Sequence, residues 1–196
     1  TGNVYLTSVT GVSEVSTGTP RITTGTLGML VTGTGDIDVN NANLVTTLGA
    51  KTANGNIKYT NNQNLNITTV AANTGGNFAG TTNGLDTSAS TGKTIDVKVS
   101  TGSLTLNSDV TTNTTGNVYL TSVTGITEVS TGTPKITTGT LGMLVTGTGD
   151  IDVNNANLVT TLGAKTVNGN IKYTNNQNLN ITTVAANAGG NFAGTT

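Results

Sequence analysis

The chain has 196 residues, a formal net charge of −1 at pH 7, and only 9% charged and 3% aromatic residues. This near-zero net charge, combined with 33% hydrophobic residues, argues against a disordered chain. Eight scattered Lys and Arg residues form no basic patch for nucleic acid, and no apolar run approaches the length that crosses a bilayer. Without Cys no disulfide can form, and we expect any export signal to lie outside this sequence.

The sequence is dominated by a long tandem repeat. Residues 1–82 recur as residues 115–196, an offset of 114, and 77 of the 82 positions are identical. The five differences are Val12 and Ile126, Ser13 and Thr127, Arg21 and Lys135, Ala53 and Val167, and Thr74 and Ala188. We therefore predict a first full repeat over residues 1–114 and a second, truncated copy over residues 115–196. Together they would form one continuous structure within a longer array.

Each long repeat contains shorter units. Residues 41–44 align with residues 62–65 at an offset of 21, and residues 35–39 align with residues 55–59 at an offset of 20. Units of this length are typical of one coil of a solenoid. The apolar landmarks predict five or six coils in each 114-residue repeat, and they are Val4, Ile37, Ile57, Phe78, Ile95 and Val118.

Apolar and polar residues alternate within the units, which predicts short strands with one buried and one exposed face. The residues predicted to be buried are, in chain order, Ile37, Ile57, Leu65, Phe78, Ile95 and Leu104. The residues predicted to be exposed are Asp36, Asp38, Lys58, Asp96 and Lys98. No window has apolar residues at helical spacing, and the many β-branched residues disfavour helices, so we expect no helix.

These patterns predict an all-β fold, a parallel β-solenoid with coils of about 20 residues. Each coil leaves unpaired N–H and C=O groups on both rims, and the next coil satisfies them at a spacing of about 4.8 Å. The offset of 20 also places Asp38 directly over Lys58, and Asp152 over Lys172, within about 5 Å. The competing fold is a pair of immunoglobulin-like sandwiches. The short internal offset and the lack of Trp argue against it.

The motif Gly-Asn/Asp-Ile/Val-x-Val/Leu/Tyr occurs at residues 2–6, 35–39 and 55–59. With the richness in Thr, Asn and Gly, it resembles the repeats of filamentous-haemagglutinin-like adhesins. The resemblance implies a right-handed parallel β-helix exported across the bacterial envelope, by two-partner secretion or as an autotransporter passenger. We expect a rigid shaft segment of an extracellular fibre or giant adhesin at the bacterial cell surface, with neighbouring repeats of the same chain as its partners. The alternatives are a shaft that itself binds host glycans or sister fibres and, more remotely, a polysaccharide-lyase-like or ice-binding solenoid.

We expect no catalytic, metal or cofactor site and no enzyme activity. A chain without His and Cys lacks the side chains of most catalytic and metal sites, which leaves paired carboxylates. Asp36 and Asp38, repeated as Asp150 and Asp152, share an outer strand face with Lys58 one coil away. They resemble the calcium-binding carboxylates of solenoid lyases, although a solvated strand face explains them without a ligand.

Several weaker patterns have structural explanations. The Thr-Gly-Thr triplets at residues 17–19, 24–26 and 32–34 are 7 and 8 residues apart, too close to stack as the rows of ice-binding solenoids do. Residues 75–78 lack the Asp of glycine-rich calcium repeats. Glycosylation sequons occur at Asn66, Asn113 and Asn180. The tyrosines are predicted to pack at strand positions, and they are Tyr5, Tyr59, Tyr119 and Tyr173.

Overall fold

A computed structural model describes residues 2–196, and within this range all regular secondary structure is β. The strands, in chain order, are β1 (Asn3–Ser8), β2 (Val12–Ser13), β3 (Thr23–Val31), β4 (Ile37–Thr52), β5 (Ile57–Asn61), β6 (Leu65–Ile67), β7 (Thr69–Val70), β8 (Thr82–Asn83), β9 (Leu85–Asp86), β10 (Thr94–Val99), β11 (Leu104–Leu106), β12 (Val110–Thr111), β13 (Asn117–Ser122), β14 (Ile126–Glu128), β15 (Ile136–Val145), β16 (Ile151–Thr166), β17 (Ile171–Asn175) and β18 (Asn180–Ile181). The predicted all-β fold without helix is confirmed.

Two parallel ladders run the length of the structure. Ladder A consists of β1, β3, the end of β4, β6, β11, β14, the start of β16, and β17. Ladder B consists of β2, the start of β4, β5, β10, β13, the ends of β15 and β16, and β18. The chain visits the two ladders in turn, so it forms a β-solenoid of about 8 turns, with coils about 23 residues apart.

The interior is filled by apolar columns that follow the ladders. In ladder B, Val12 pairs in register with Ile37, Ile37 with Ile57, and Ile57 with Ile95, and the last three side chains are fully buried. In ladder A the same holds for Leu65 over Leu104. The predicted burial of these isoleucines and leucines is confirmed. Small branched side chains fit such columns because each one contacts the matching side chain of the coil above and below.

The 114-residue repeat contains four and a half coils, so the prediction of five or six was wrong. Starting from Val4, ladder A passes through Leu27, Leu48, Ile67 and Leu106. The equivalent of Val4 in the second copy, Val118, follows half a coil later and lies in ladder B. Equivalent residues of the two copies therefore lie on opposite ladders, and the copies are related by about half a turn around the solenoid axis.

The connections between the ladders change sides for the same reason. In the first copy, residues 23–24 pair with residues 44–45 as an extra strand pair on the way from ladder B to ladder A. In the second copy the equivalent pairs, residues 137–138 with 158–159, lie on the way from ladder A to ladder B. These extra pairs form a short third strand beside the two ladders. This third strand lies on opposite sides of the solenoid in the two copies.

One segment of each copy leaves the coil and folds back over its outside. We call residues 68–84 the first flap and residues 182–196 the second flap. The first flap contains the only antiparallel pair within the described residues, β7 with β8. Phe78 is buried as predicted but is not a coil landmark, because it lies on the outer face of ladder A, where its ring contacts Tyr5 at a centroid distance of 5.2 Å.

The duplication provides a matched test of the core. Ile57 is fully buried, whereas its equivalent Ile171 lies in the last turn and is 45% exposed. We expect Ile57→Ala to reduce the free energy of unfolding by about 2–5 kcal/mol, because it leaves a cavity between two coils. Ile171→Ala should cost much less. Denaturant unfolding of both variants measures the difference, and equal losses would contradict the coil register described above.

Candidate functional site

Charged side chains form a column on the outer face of ladder B. Asp38 pairs in register with Lys58, and Lys58 pairs with Asp96 in the next coil. The Lys58 Nζ lies 3.9 Å from Asp38 Oδ1, and in the second copy Lys172 Nζ lies 3.4 Å from Asp152 Oδ2. The predicted stacking of Asp38 over Lys58 is confirmed, and so is its repetition at Asp152 and Lys172.

Asp96 was predicted to be exposed, and this prediction was wrong. Its side chain does point outward from the coil, but the second flap covers it, and only 1% of the residue is exposed. Asp96 Oδ2 accepts a hydrogen bond of 2.6 Å from the Asn187 Nδ2 and another of 2.6 Å from the Asn191 backbone N–H. Four other residues were predicted to be exposed. Asp36 and Asp38 are exposed, whereas Lys58 and Lys98 are half-buried.

The electrostatics of Asp96 follow from this cover. Burial raises the pKa of the Asp96 carboxyl above its usual value, because the charged form loses water. Hydrogen bonds from the second flap and the charge of Lys58 act in the opposite direction without fully offsetting the burial. Asp96 Oδ1 has no hydrogen-bond partner among residues 2–196.

Each flap is seated on a column of small outward-facing residues. Phe192 stacks on Tyr119 with ring centroids 5.0 Å apart, and the next outward positions in register are Gly142 and Gly163. A Cβ at Gly142 would lie 2.6 Å from the Phe192 ring, and one at Gly163 would lie 2.7 Å from Val184. Glycine at these positions lets the flap lie directly against the sheet.

A second buried carboxylate lies at the polar corner, which we define as Glu128, Asn155, Asn157 and Asn175. Glu128 Oε2 accepts hydrogen bonds from the Asn155 backbone N–H (2.9 Å) and the Asn157 Nδ2 (3.2 Å). Asn157 Oδ1 accepts from the Ile136 backbone N–H at 2.6 Å, and Asn157 Nδ2 also donates to Thr174. Asn157 therefore links three successive coils where the chain turns between ladders.

The first copy has the same corner, with Glu14, Asn41 and Asn43 in the same bonds. In the second copy, burial raises the pKa of Glu128, and the charges of Asp152 and Asp109 add to this effect. Sequence reasoning missed both this corner and the cover over Asp96. The available signals were that Glu14 and Glu128 are the only two Glu residues, and that Phe78 and Phe192, the only two Phe, recur in segments without period-two alternation.

A groove of about 290 Å³ lies between the charge column and the second flap, and it is lined by Asp36, Asp38, Lys58 and Asp96 with residues 187–190 of the flap. One of the two carboxylate oxygens of Asp36 already has hydrogen-bond donors: Oδ1 accepts hydrogen bonds from the backbone N–H (2.7 Å) and the side-chain Nδ2 (3.2 Å) of Asn56. In residues 2–196 no group of three or more Asp, Glu, His or Cys side chains is placed to hold a metal ion.

The weaker sequence patterns lie apart from this groove. Of the Thr-Gly-Thr triplets, residues 17–19 lie in an exposed loop, residues 24–26 lie in β3, and residues 32–34 follow it, so the three do not form one row. Residues 75–78 form the turn of the first flap. The sequon asparagines Asn66 and Asn113 are half-buried, and Asn180 is exposed.

The tyrosines pack as predicted. Tyr59 is fully buried and donates a hydrogen bond to Asn61 Oδ1, and Tyr173 makes the equivalent bond to Asn175. Tyr5 and Tyr119 lie under the two flaps.

Comparison with models of protein families, with curated proteins and with solved structures finds no match for this chain. None of the residues that the structure describes forms a helix long and apolar enough to cross a membrane.

The pair Asp152 and Lys172 tests whether the outer charges are structural or bind a ligand. Because both side chains are substantially exposed, replacing both by Thr should change the free energy of unfolding by no more than about 1 kcal/mol.

Calcium should leave the melting temperature of the unaltered chain unchanged, as measured by calorimetry. A calcium-dependent rise that is lost in the Asp36→Asn, Asp38→Asn variant would instead identify a calcium site.

The two buried carboxyls predict how stability depends on pH. For both Asp96 and Glu128 the pKa is higher in the folded than in the unfolded chain, so the folded state binds protons more tightly. Stability should therefore rise as the pH is lowered through the raised folded-state pKa values towards the ordinary values of 3.8 and 4.5. Asp86 does not enter this window. Burial acts to raise the Asp86 pKa, but hydrogen bonds from Ser88 and Lys51 outweigh it and leave the pKa below the ordinary 3.8.

The measurement is chemical denaturation at a series of pH values from 7 down to 4.5, the ordinary pKa of Glu, on the unaltered chain and on Glu128→Gln. The substitution removes one of the two titrating groups, so the gain in stability on acidification should be smaller in the variant. A steady loss of stability over this pH range in the unaltered chain would contradict the burial of these carboxyls.

Proposed function

We propose that this chain is a spacer segment in the shaft of a secreted bacterial cell-surface fibre or adhesin. The observation that carries the proposal is continuity: ladders A and B run through both copies of the repeat, and the second copy continues the first in the same parallel register. A spacer gains from many equivalent units, whereas a catalytic site needs one distinct place. The chain also contains no His or Cys.

The geometry sets the expected dimensions. Four and a half coils at about 4.8 Å each lengthen the shaft by about 22 Å for every 114-residue unit. Main-chain hydrogen bonds and buried apolar columns cross every coil boundary, which favours a stiff rod over a flexible linker. In this proposal the segment is extracellular, and its partners are the neighbouring repeats of the same chain.

The test is to display arrays of two, four and eight units on bacteria, between a membrane anchor and a tip tag. The height of the tag above the cell surface should increase by about 22 Å per unit, as measured by atomic force microscopy or localisation microscopy. A height that does not scale with the number of units would overturn the shaft proposal.

The same arrays distinguish the alternative in which the shaft itself binds host glycans or sister fibres. Arrays without an adhesive tip should not bind host cells or each other at any length. Binding that grows with the number of units, and that is lost when the outer charges such as Asp38 and Lys58 are replaced, would favour the alternative.

A further inference from the structure

The boundary between the two copies is held from outside by the second flap. The flap belongs to the second copy, but Asp96, which it covers, belongs to the first. The flap reaches still further back, because the Asn191 Nδ2 donates hydrogen bonds to Asn40 (2.6 Å) and Thr60 (3.1 Å), which lie in earlier coils of the first copy. The flap thus ties together coils on both sides of the boundary.

The first flap differs from the second at one equivalent position, Thr74 and Ala188, and has the same turn, but no carboxylate of the described residues is bound at that turn. The turn is conserved: Asn73 N–H donates to Phe78 C=O in the first flap as Asn187 N–H donates to Phe192 C=O in the second. Asn73 and Asn77, the equivalents of Asn187 and Asn191, are exposed. Among residues 2–196 no carboxylate bonds to them. A groove of about 740 Å³ lies beside them, lined by Tyr5, Thr7 and Val12 as well as by the flap.

The second copy shows what fills the equivalent space. There, β10 pairs with β13 so that Asp96 lies next to Tyr119, and β11 pairs with β14 so that Leu104 lies next to Ile126. In the first copy, β1 pairs only with β3, and β2 pairs only with β4, among the described residues. The opposite edges of β1 and β2, which correspond to the edges of β13 and β14 that β10 and β11 occupy, are therefore open. In the second copy, residues 93–106 therefore pair with two strand edges and accept hydrogen bonds from the amides of the flap. The equivalent edges and amides of the first copy have no such partner among residues 2–196.

We propose that the first flap, with the open edges of β1 and β2, is a docking surface for the segment equivalent to residues 93–106 of another unit of this repeat, whose aspartate is received by Asn73 and Asn77. The partner is a unit joined ahead of residue 1 in the same array. In an intact second chain, residues 93–106 are already stacked between coils on both sides, so they are not free to dock. The inference concerns how units are joined, and it does not depend on whether the array carries an adhesive tip.

The test is hydrogen exchange measured by NMR on two proteins: the chain as it stands, and the same chain with a second copy of residues 83–114 fused ahead of residue 1. In the unextended chain the Asn191 amide, which is bonded to Asp96, should exchange slowly, and the Asn77 amide should exchange fast. In the extended chain we expect exchange at Asn77 to slow by at least about tenfold, to a rate near that of Asn191, with the amides along the edge of β1 becoming protected as well.

The matched control is the extended chain in which the added aspartate, the equivalent of Asp96, is replaced by Ala. Here the β1 edge should stay protected, because main-chain pairing does not need the carboxylate, while Asn77 should return to fast exchange. In parallel, Asp96→Ala in the unextended chain should speed exchange at Asn191 and leave Asn77 unchanged. If the extension leaves both β1 and Asn77 unprotected, the segment does not fit the surface and the proposal is overturned. If β1 is protected but Asn77 exchanges fast with the aspartate present, the flap is not its receptor, and the proposal is again overturned.

Discussion

The structure depends on one constraint: every coil must satisfy the main-chain hydrogen bonds of the coil before it, in parallel and at one fixed spacing. Equivalent positions of successive coils then form a column along each ladder. Each side chain in a column contacts the side chain at the same position of the next coil. Apolar columns such as Ile37, Ile57 and Ile95 become the core. Asparagines at the turns become links, as Asn43 and Asn157 do between three coils each.

The repeat is four and a half coils long, and much of the molecule's irregularity follows from that fraction. The second copy begins on the opposite ladder, so its flap and its short third strand both lie on the opposite side of the solenoid from those of the first copy. In an array, features of one kind would alternate between two sides, and the same side would carry the same feature only in every second unit. This arrangement would distribute the flaps on both sides of the proposed shaft.

Asp96 and Glu128 are the two charged residues that are buried among residues 2–196, and the other charged residues there are at least partly exposed. Burying a carboxylate is unfavourable unless hydrogen bonds compensate for the lost water, and both Asp96 and Glu128 receive such bonds from asparagine side chains and main-chain N–H groups. Both are placed where different parts of the chain must be held in one arrangement: Asp96 at the boundary between copies and Glu128 at a turn between ladders. Because apolar replacements of buried charged groups are often neutral or stabilising, we infer that these two contacts fix the arrangement of the chain rather than raise its stability.

The sequence by itself determined the class of fold, the long repeat and the core. Period-two alternation and the offset of 20 were sufficient to predict the inward isoleucines and the stacking of Asp38 over Lys58, because register in a parallel ladder follows directly from spacing in the chain. The number of coils and the position of the flaps were decided only by the tertiary structure. Phe78 has the apolar character of a core residue, and Asp96 has the alternation of an exposed one. Neither pattern reveals that Phe78 belongs to a flap that packs on the outer face of the coil, or that a distant segment, 91 to 95 residues along the chain, folds back and buries Asp96. Local periodicity reports which side of a strand a residue faces, but not what covers that side.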